Sequence, residues 1–153
     1  MITINPYLTF NGTCEAAFLF YKTVFGGEFP YVGRFKDMPS NPNFPISEHD
    51  KEKIMHISLP ISKETVLMGS DSSEAFGKAT TSGNNFSISI NTDSVDEVTR
   101  IYKELSAGGI IKMPLEKTFW GAYFGLFTDK FGIHWMVNCE LDEHIDYEKK
   151  NRA

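Results

Sequence analysis

The chemistry open to this 153-residue chain rests on few side chains, chiefly four histidines and two cysteines. His56 falls mid-strand between Met55 and Ile57, and His134 stands beside Trp135. An imidazole titrates near neutral pH, so each suits a structural hydrogen bond, a ligand contact or acid–base work. Metal chemistry would need both to converge with a carboxylate such as Glu64 or Glu116. His49 and His144 fall in a loop and in a charged tail and read as solvated. Ser70-Asp71 has no histidine paired with it in sequence, so it reads as a turn closing a hairpin strand rather than as part of a Ser-His-Asp triad. Cys14 and Cys139 form no metal or redox spacing and read as free thiols in a reducing cytoplasm. Cys14 also stands near a helix start, where the helix field lowers a thiol pKa, although reactivity needs exposure as well.

The elements that must position these residues occur twice. Phe20-Tyr21-Lys22 leads to Gly26-Gly27, and Ile101-Tyr102-Lys103 leads to Gly108-Gly109. Tyr7 to Asn11 matches Ser87 to Asn91 in pattern, and Lys63 to Met68 answers Lys130 to Met136. Self-similarity of this kind outranks local signals, and two copies of about 75 residues suggest paired modules around a shared site. Each module reads strand–helix–strand–strand–strand, an α+β unit. The first module takes residues 1–71, a polar linker 72–83, the second module 84–138 and a charged tail 139–153.

In the first module, alternation predicts a strand over Ile2–Phe10. Thr13 is placed to cap a helix whose stripe is Ala17, Phe20, Tyr21 and Val24, and Gly26-Gly27 stops it. A strand follows near 28–35, and then a long loop from Asp37 to Lys53 with three prolines, of a length typical of lids and binding segments. Strands near 54–60 and 65–70 form a hairpin. In the second module, a strand over 84–91 precedes the Ser94–Glu97 capping box and a stripe of Val95, Val98, Ile101, Tyr102 and Leu105. Strands near 110–113, 119–127 and 133–138 complete it, with Asp129-Lys130-Phe131-Gly132 as the last turn.

Each helix must cover one sheet face. Ile2, Ile4, Leu8 and Phe10, with Phe86, Ile88 and Ile90, belong under the helices. The opposite faces carry Asn5, Tyr7, Thr9, His56, Ser58, Met68, Ser70, Asn85, Ser87, Ser89, His134, Met136 and Asn138. Such faces either meet open solvent or are enclosed by two curved mixed sheets as a cavity. The ring load of Phe119-Trp120-Gly121-Ala122-Tyr123-Phe124 favours a cavity, because solvent-facing strands rarely carry rings on both sides. Trp120 and Phe124 share a strand face with Ala122 in this reading and serve either core packing or a platform for a flat ligand.

Composition excludes other classes. The chain is 41% hydrophobic with 13 Phe, enough for a core. A net charge of −5 without a basic stripe argues against nucleic acid. No apolar run approaches the ~20 residues of a membrane helix, and the N-terminus lacks an export signal.

The residues also carry a resemblance. Asn5-Pro6-Tyr7-Leu8-Thr9-Phe10-Asn11-Gly12 and Phe20 to Gly27 resemble the opening of the PhnB-like family. So do Lys53-Ile54-Met55-His56, Ser70-Asp71, Met113-Pro114-Leu115, Phe119-Trp120-Gly121 and the run Thr128 to Asn138, so that the resemblance spans residues 3–138. That family belongs to the glyoxalase, bleomycin-resistance and extradiol-dioxygenase group, the vicinal oxygen chelate superfamily, whose fold is a pair of βαβββ modules. Its members are commonly likened to a 3-demethylubiquinone 3-methyltransferase. Methyl transfer finds no support in the residues, since no glycine-rich loop follows a first strand as in a nucleotide-binding unit. Metal-dependent members place His or Glu on the first and last strands of each module. The matching positions here are near Asn5, Met68, Asn85 and Met136, two amides and two thioethers, a poor donor set for zinc or hard cations. The resemblance also implies association as a homodimer.

Together these readings give a cytoplasmic protein that binds a small organic molecule without metal or other cofactor. Asn5, Tyr7, His56, Met68, Asn85, Trp120 and Met136 are expected to line one cavity. Two alternatives stand beside it: a metal-dependent lyase, isomerase or dioxygenase, and a protein-interaction module that uses the acidic tail and the long proline-containing loop.

Overall fold

Alternating apolar residues and two glycine-stopped helices produce the predicted order twice in the computed structural model, which describes residues 1–141. The chain divides into two compact units, one over Met1–Thr81 and a second from Ser82 onward. The predicted tail of 139–153 falls mostly outside the described residues.

The first unit comprises β1 (Tyr7–Phe10), α1 (Cys14–Phe25), β2 (Tyr31–Arg34), β3 (Ile54–Pro60) and β4 (Val66–Asp71). The sheet order is β1-β4-β3-β2, with β1 parallel to β4 and the remaining pairs antiparallel. Leu8 and Phe10 of β1, Ile57 and Leu59 of β3 and Leu67 of β4 are buried together with Cys14, Ala17, Phe18, Tyr21 and Val24 of α1. Phe18 rather than Phe20 thus completes the helix stripe. It lies hard against Gly69, where an added Cβ would meet the Phe18 ring at 2.6 Å and the Leu8 carbonyl oxygen at 2.8 Å.

The start of α1 is held from outside the helix. Thr13 makes no side-chain cap. Asp71 Oδ1 instead accepts the Gly12 and Cys14 amides at 2.9 Å each, while Oδ2 accepts the Ile54 amide at 2.9 Å. Ser70-Asp71 is therefore the end of β4 rather than a turn, and a buried carboxylate replaces the expected threonine cap. Gly26 and Gly27 end the helix with φ of 77° and 82°, a backbone region that glycine enters without a Cβ clash. The linker is not featureless, since Glu74–Phe76 forms a 3-10 turn.

β1 is shorter than alternation predicts. Its ladder to β4 starts at Tyr7, so Ile2 and Ile4 have no strand beneath them and are 91% and 90% exposed instead of covered by α1.

The second unit comprises β5 (Ile88–Thr92), α2 (Val95–Leu105), β6 (Ile110–Lys117), β7 (Ala122–Thr128) and β8 (His134–Glu140), in sheet order β5-β8-β7-β6. β5 runs parallel to β8 and the other pairs are antiparallel. Ser94 Oγ accepts the Glu97 amide at 3.2 Å, the forward half of the predicted capping box. Val98, Ile101 and Leu105 are buried against Phe127, Trp135, Val137 and Cys139, whereas Val95 is exposed. Asp129 organises the last turn: Oδ1 accepts the Phe131 and Ile133 amides, and Oδ2 accepts the Trp135 indole N–H at 2.8 Å.

Register corrects the repeat by two residues. Met68 faces Tyr7 in the first sheet, and Met136 faces Ser89 in the second. Tyr7 therefore corresponds to Ser89 rather than Ser87. The shift is even, so the residues of β5 keep their predicted faces, but Phe86 precedes the strand and is 63% exposed rather than covered by α2.

Candidate functional site

In the first sheet the face away from α1 carries two rows. Tyr7 pairs with Met68, Met68 with Ser58, and Ser58 with Tyr31. In the next row Thr9 pairs with Ser70, and His56 pairs with Gly33. Gly33 leaves a gap, and Tyr31 folds into it: a Cβ on Gly33 would lie 2.5 Å from the Tyr31 hydroxyl. His56 is consequently flanked by two tyrosines. The Tyr7 hydroxyl shares a hydrogen bond with His56 Nδ1 at 3.1 Å, and the Tyr7 ring stacks on the imidazole at 5.6 Å between centroids. Tyr31 approaches the imidazole at 5.8 Å. Three rings, one thioether and the hydroxyls of Ser58, Thr9 and Ser70 thus share one sheet face. Such a surface offers flat apolar contact with a few polar handles.

Of the expected site residues in this unit, Tyr7, His56 and Met68 are brought together. Asn5 precedes β1, and its Oδ1 accepts the Val66 amide at 2.9 Å, so it extends the sheet edge. Sequence reasoning missed Tyr31. Its alternation with Gly33 on β2 was the available signal, but the glycine's role as a seat for the ring depends on packing.

In the second sheet, Met136 pairs with Leu126 and Ser89, and Asn138 pairs with Phe124 and Asn91. The Asn138 amide donates to Asn91 Oδ1 at 3.4 Å. Trp120 is not in a strand. It lies in the turn between β6 and β7, where Gly121 takes a φ of 85°. Its ring still meets Phe124 at 6.1 Å and Phe119 at 5.0 Å, both edge-on. Asn85 sits in an exposed bend ahead of β5, because the two-residue register shift puts Ser87 at the position that Asn5 holds in the first unit.

His134 is fully engaged. Its Nε2 donates to the Gly83 carbonyl at 2.7 Å, which leaves Nδ1 to accept from the Thr128 hydroxyl at 2.8 Å in the neutral ring. With both nitrogens bonded, it cannot join a metal without breaking the fold locally. Glu64 and Glu116 are exposed. Among the described residues no three His, Cys, Asp or Glu side chains group so as to hold a metal ion. The divalent metal that the fold family implies does not fit this donor set: Met68 and Met136 offer thioethers, and the Asn5 amide oxygen is already bonded.

Cys14 is not activated. Burial pushes its thiol pKa up, and the nearby Asp71 and Glu15 charges raise it further, overriding any field from the helix start. Cys139 is buried as well, and both thiols are free.

Comparison with known proteins agrees with the module order. The glyoxalase/bleomycin resistance protein/dioxygenase superfamily matches residues 3–137. Protein YjdN of Escherichia coli is 36% identical over 141 residues, covering 88% of this chain and 93% of its own. The crystal structure of PA1353 from Pseudomonas aeruginosa superposes with a TM-score of 0.81 at 42% identity, covering 93% of this chain and all of that one. The PhnB protein of Bacillus cereus shares the fold with a TM-score of 0.70 at 22% identity, covering 90% and 99% of the two chains. With two βαβββ units and a match over nearly its whole length, the chain belongs to the glyoxalase/bleomycin resistance protein/dioxygenase superfamily.

Proposed function

We propose that the protein binds a small organic molecule without a metal, on the sheet faces turned away from the helices. The observation that carries this reading is the Tyr7–His56–Tyr31 cluster, three rings placed on one face by register and by the Gly33 gap. Tyr7, His56 and Met68 are the contacts on the first unit's face, and the second unit's own face carries Met136 with the Trp120–Phe124 pair. Tight metal binding finds no support in the donor chemistry. Two free buried thiols fit a reducing cytoplasm. No helix among the described residues is long and apolar enough to cross a membrane.

A ligand-detected NMR screen of aromatic fragments against tag-free protein tests the reading. Hits are expected to bind His56→Ala about tenfold more weakly than the parent. An empty screen would sink the idea. So would stoichiometric zinc, nickel, manganese or iron in the purified protein.

A further inference from the structure

We infer that the first unit accepts a monoanionic organic acid, a carboxylate carried on an apolar body, in a pocket where its sheet face runs beneath the long loop. This rests on the ligand reading above and names the ligand's class. The pocket is a cavity of about 410 Å³, inside the range of small-molecule sites.

Its floor is the pair Thr9 and Ser70, register partners on β1 and β4. Neither hydroxyl has a side-chain hydrogen bond among the described residues, so both are available to a ligand. Asp71 also lines the pocket, a negative charge that would repel an anion if it were open. It is 4% exposed, and both oxygens are taken by three backbone N–H groups. Those amide dipoles compensate the carboxylate inside the fold.

The walls are Met38, Met55 and Phe76. Phe76 is stacked between Phe35 at 6.0 Å and Phe44 at 5.1 Å, which fixes one flat apolar side. The loop that supplies Met38 and Phe44 is anchored at its far end. Asp50 Oδ2 accepts the Ser73 hydroxyl at 2.9 Å, and Oδ1 pairs with Lys53 at 2.9 Å.

At the rim stands Lys78. Lys36, Lys51 and Lys53 of the loop each face a carboxylate. Lys78 has no ion pair or hydrogen bond among the described residues. A lone ammonium beside two open hydroxyls and an apolar slot matches one negative charge on a hydrophobic body. A dianion such as a phosphate would stay half-neutralised by the single Lys78 charge.

Calorimetric titration of the full-length protein at about pH 8.5, where a phosphonate is a dianion and lysine is still charged, with 2-naphthoate, its neutral near-isostere 2-naphthamide and phenylphosphonate tests the assignment. Naphthoate is expected to bind one per chain, about tenfold more tightly than either comparison compound. Lys78→Met, at an exposed position, should remove the preference over the amide, so that the ratio of the two affinities falls to about one. Ser70→Ala should weaken naphthoate about threefold. Equal binding of acid and amide, lost in His56→Ala but not in Lys78→Met, would leave the ring-face reading standing and overturn this one. Lys78-dependent binding led by the phosphonate would overturn the monoanion assignment. No binding of either naphthalene would overturn the pocket, with the ring face judged by its own fragment screen.

Discussion

His134 donates to a carbonyl and accepts from a hydroxyl, whereas His56 has one bond to an exposed tyrosine and two rings beside it. Removing the first should cost stability, and removing the second should cost binding. His134→Ala is expected to lower the unfolding free energy by about 1–3 kcal/mol, since its two partners lose their hydrogen bonds. His56→Ala should lower it by about 1 kcal/mol or less. Urea unfolding of the two variants reads the contrast, and equal losses would contradict it. The thiols make a separate test. Cys14 is fully buried, and burial has raised its pKa. Ellman's reagent should therefore find no fast-reacting thiol in the native protein and both in denaturant. A rapid native reaction would mean that the packing over Cys14 or Cys139 opens. The cysteine context was half legible in sequence. The helix start was visible, but the Asp71 carboxylate arrives from β4, 57 residues away.

At the scale of elements, alternation and glycine stops identify every strand and both helices, because those signals are local. Length and company are what they miss. Ile2 and Ile4 alternate as well as Leu8 and Phe10 do, yet β4 begins at Val66 and offers them no ladder. Alternation also puts Trp120 in a strand, because the turn it occupies is set by the Gly121 backbone, not by composition. The pocket was legible only in part: the long loop read as a binding segment and Thr9 and Ser70 fell on the face away from the helix, but Phe76 and Lys78 come from the linker and meet them only after folding. The anchor of that loop is titratable. Asp50 is buried, and its pKa is held below the usual value of 3.8, first by the hydrogen bond from Lys53 and then by Ser73 and the Glu74 amide, against the effect of burial. A folded pKa below the unfolded one stabilises the protein above about pH 4 and ceases to do so as pH falls through the folded value. Asp50→Asn should therefore destabilise near neutral pH and converge on the parent as pH falls through the folded pKa of Asp50. Unfolding midpoints measured from about pH 7 down to about pH 2.5 check it, and a gap that persists at the acid end would assign the effect to packing instead.

At the scale of the whole molecule, the apolar residues that the fold does not bury raise the question of assembly. β6 is an edge strand of its sheet, and Ile110, Ile111 and Met113 along it are 67%, 49% and 47% exposed. An edge strand with consecutive exposed apolar residues is a template for pairing unless something covers it. Lys112 supplies one charge and Pro114 removes one donor, which limits open-ended addition while leaving room for a single closed contact. Closed two-fold pairing is the commonest way to satisfy such a strand, because one self-complementary patch serves both copies. A homodimer is therefore the expected state. Light scattering should give twice the 17.3 kDa of one chain at micromolar concentration. The double variant Ile111→Lys, Met113→Glu should shift the mass to one chain with little change in the unfolding midpoint, since both side chains are exposed in the single chain. A parent mass of one chain would exclude the dimer. A dimer that survives the double variant would move the contact away from β6, with the exposed Ile2 and Ile4 as the next residues to charge.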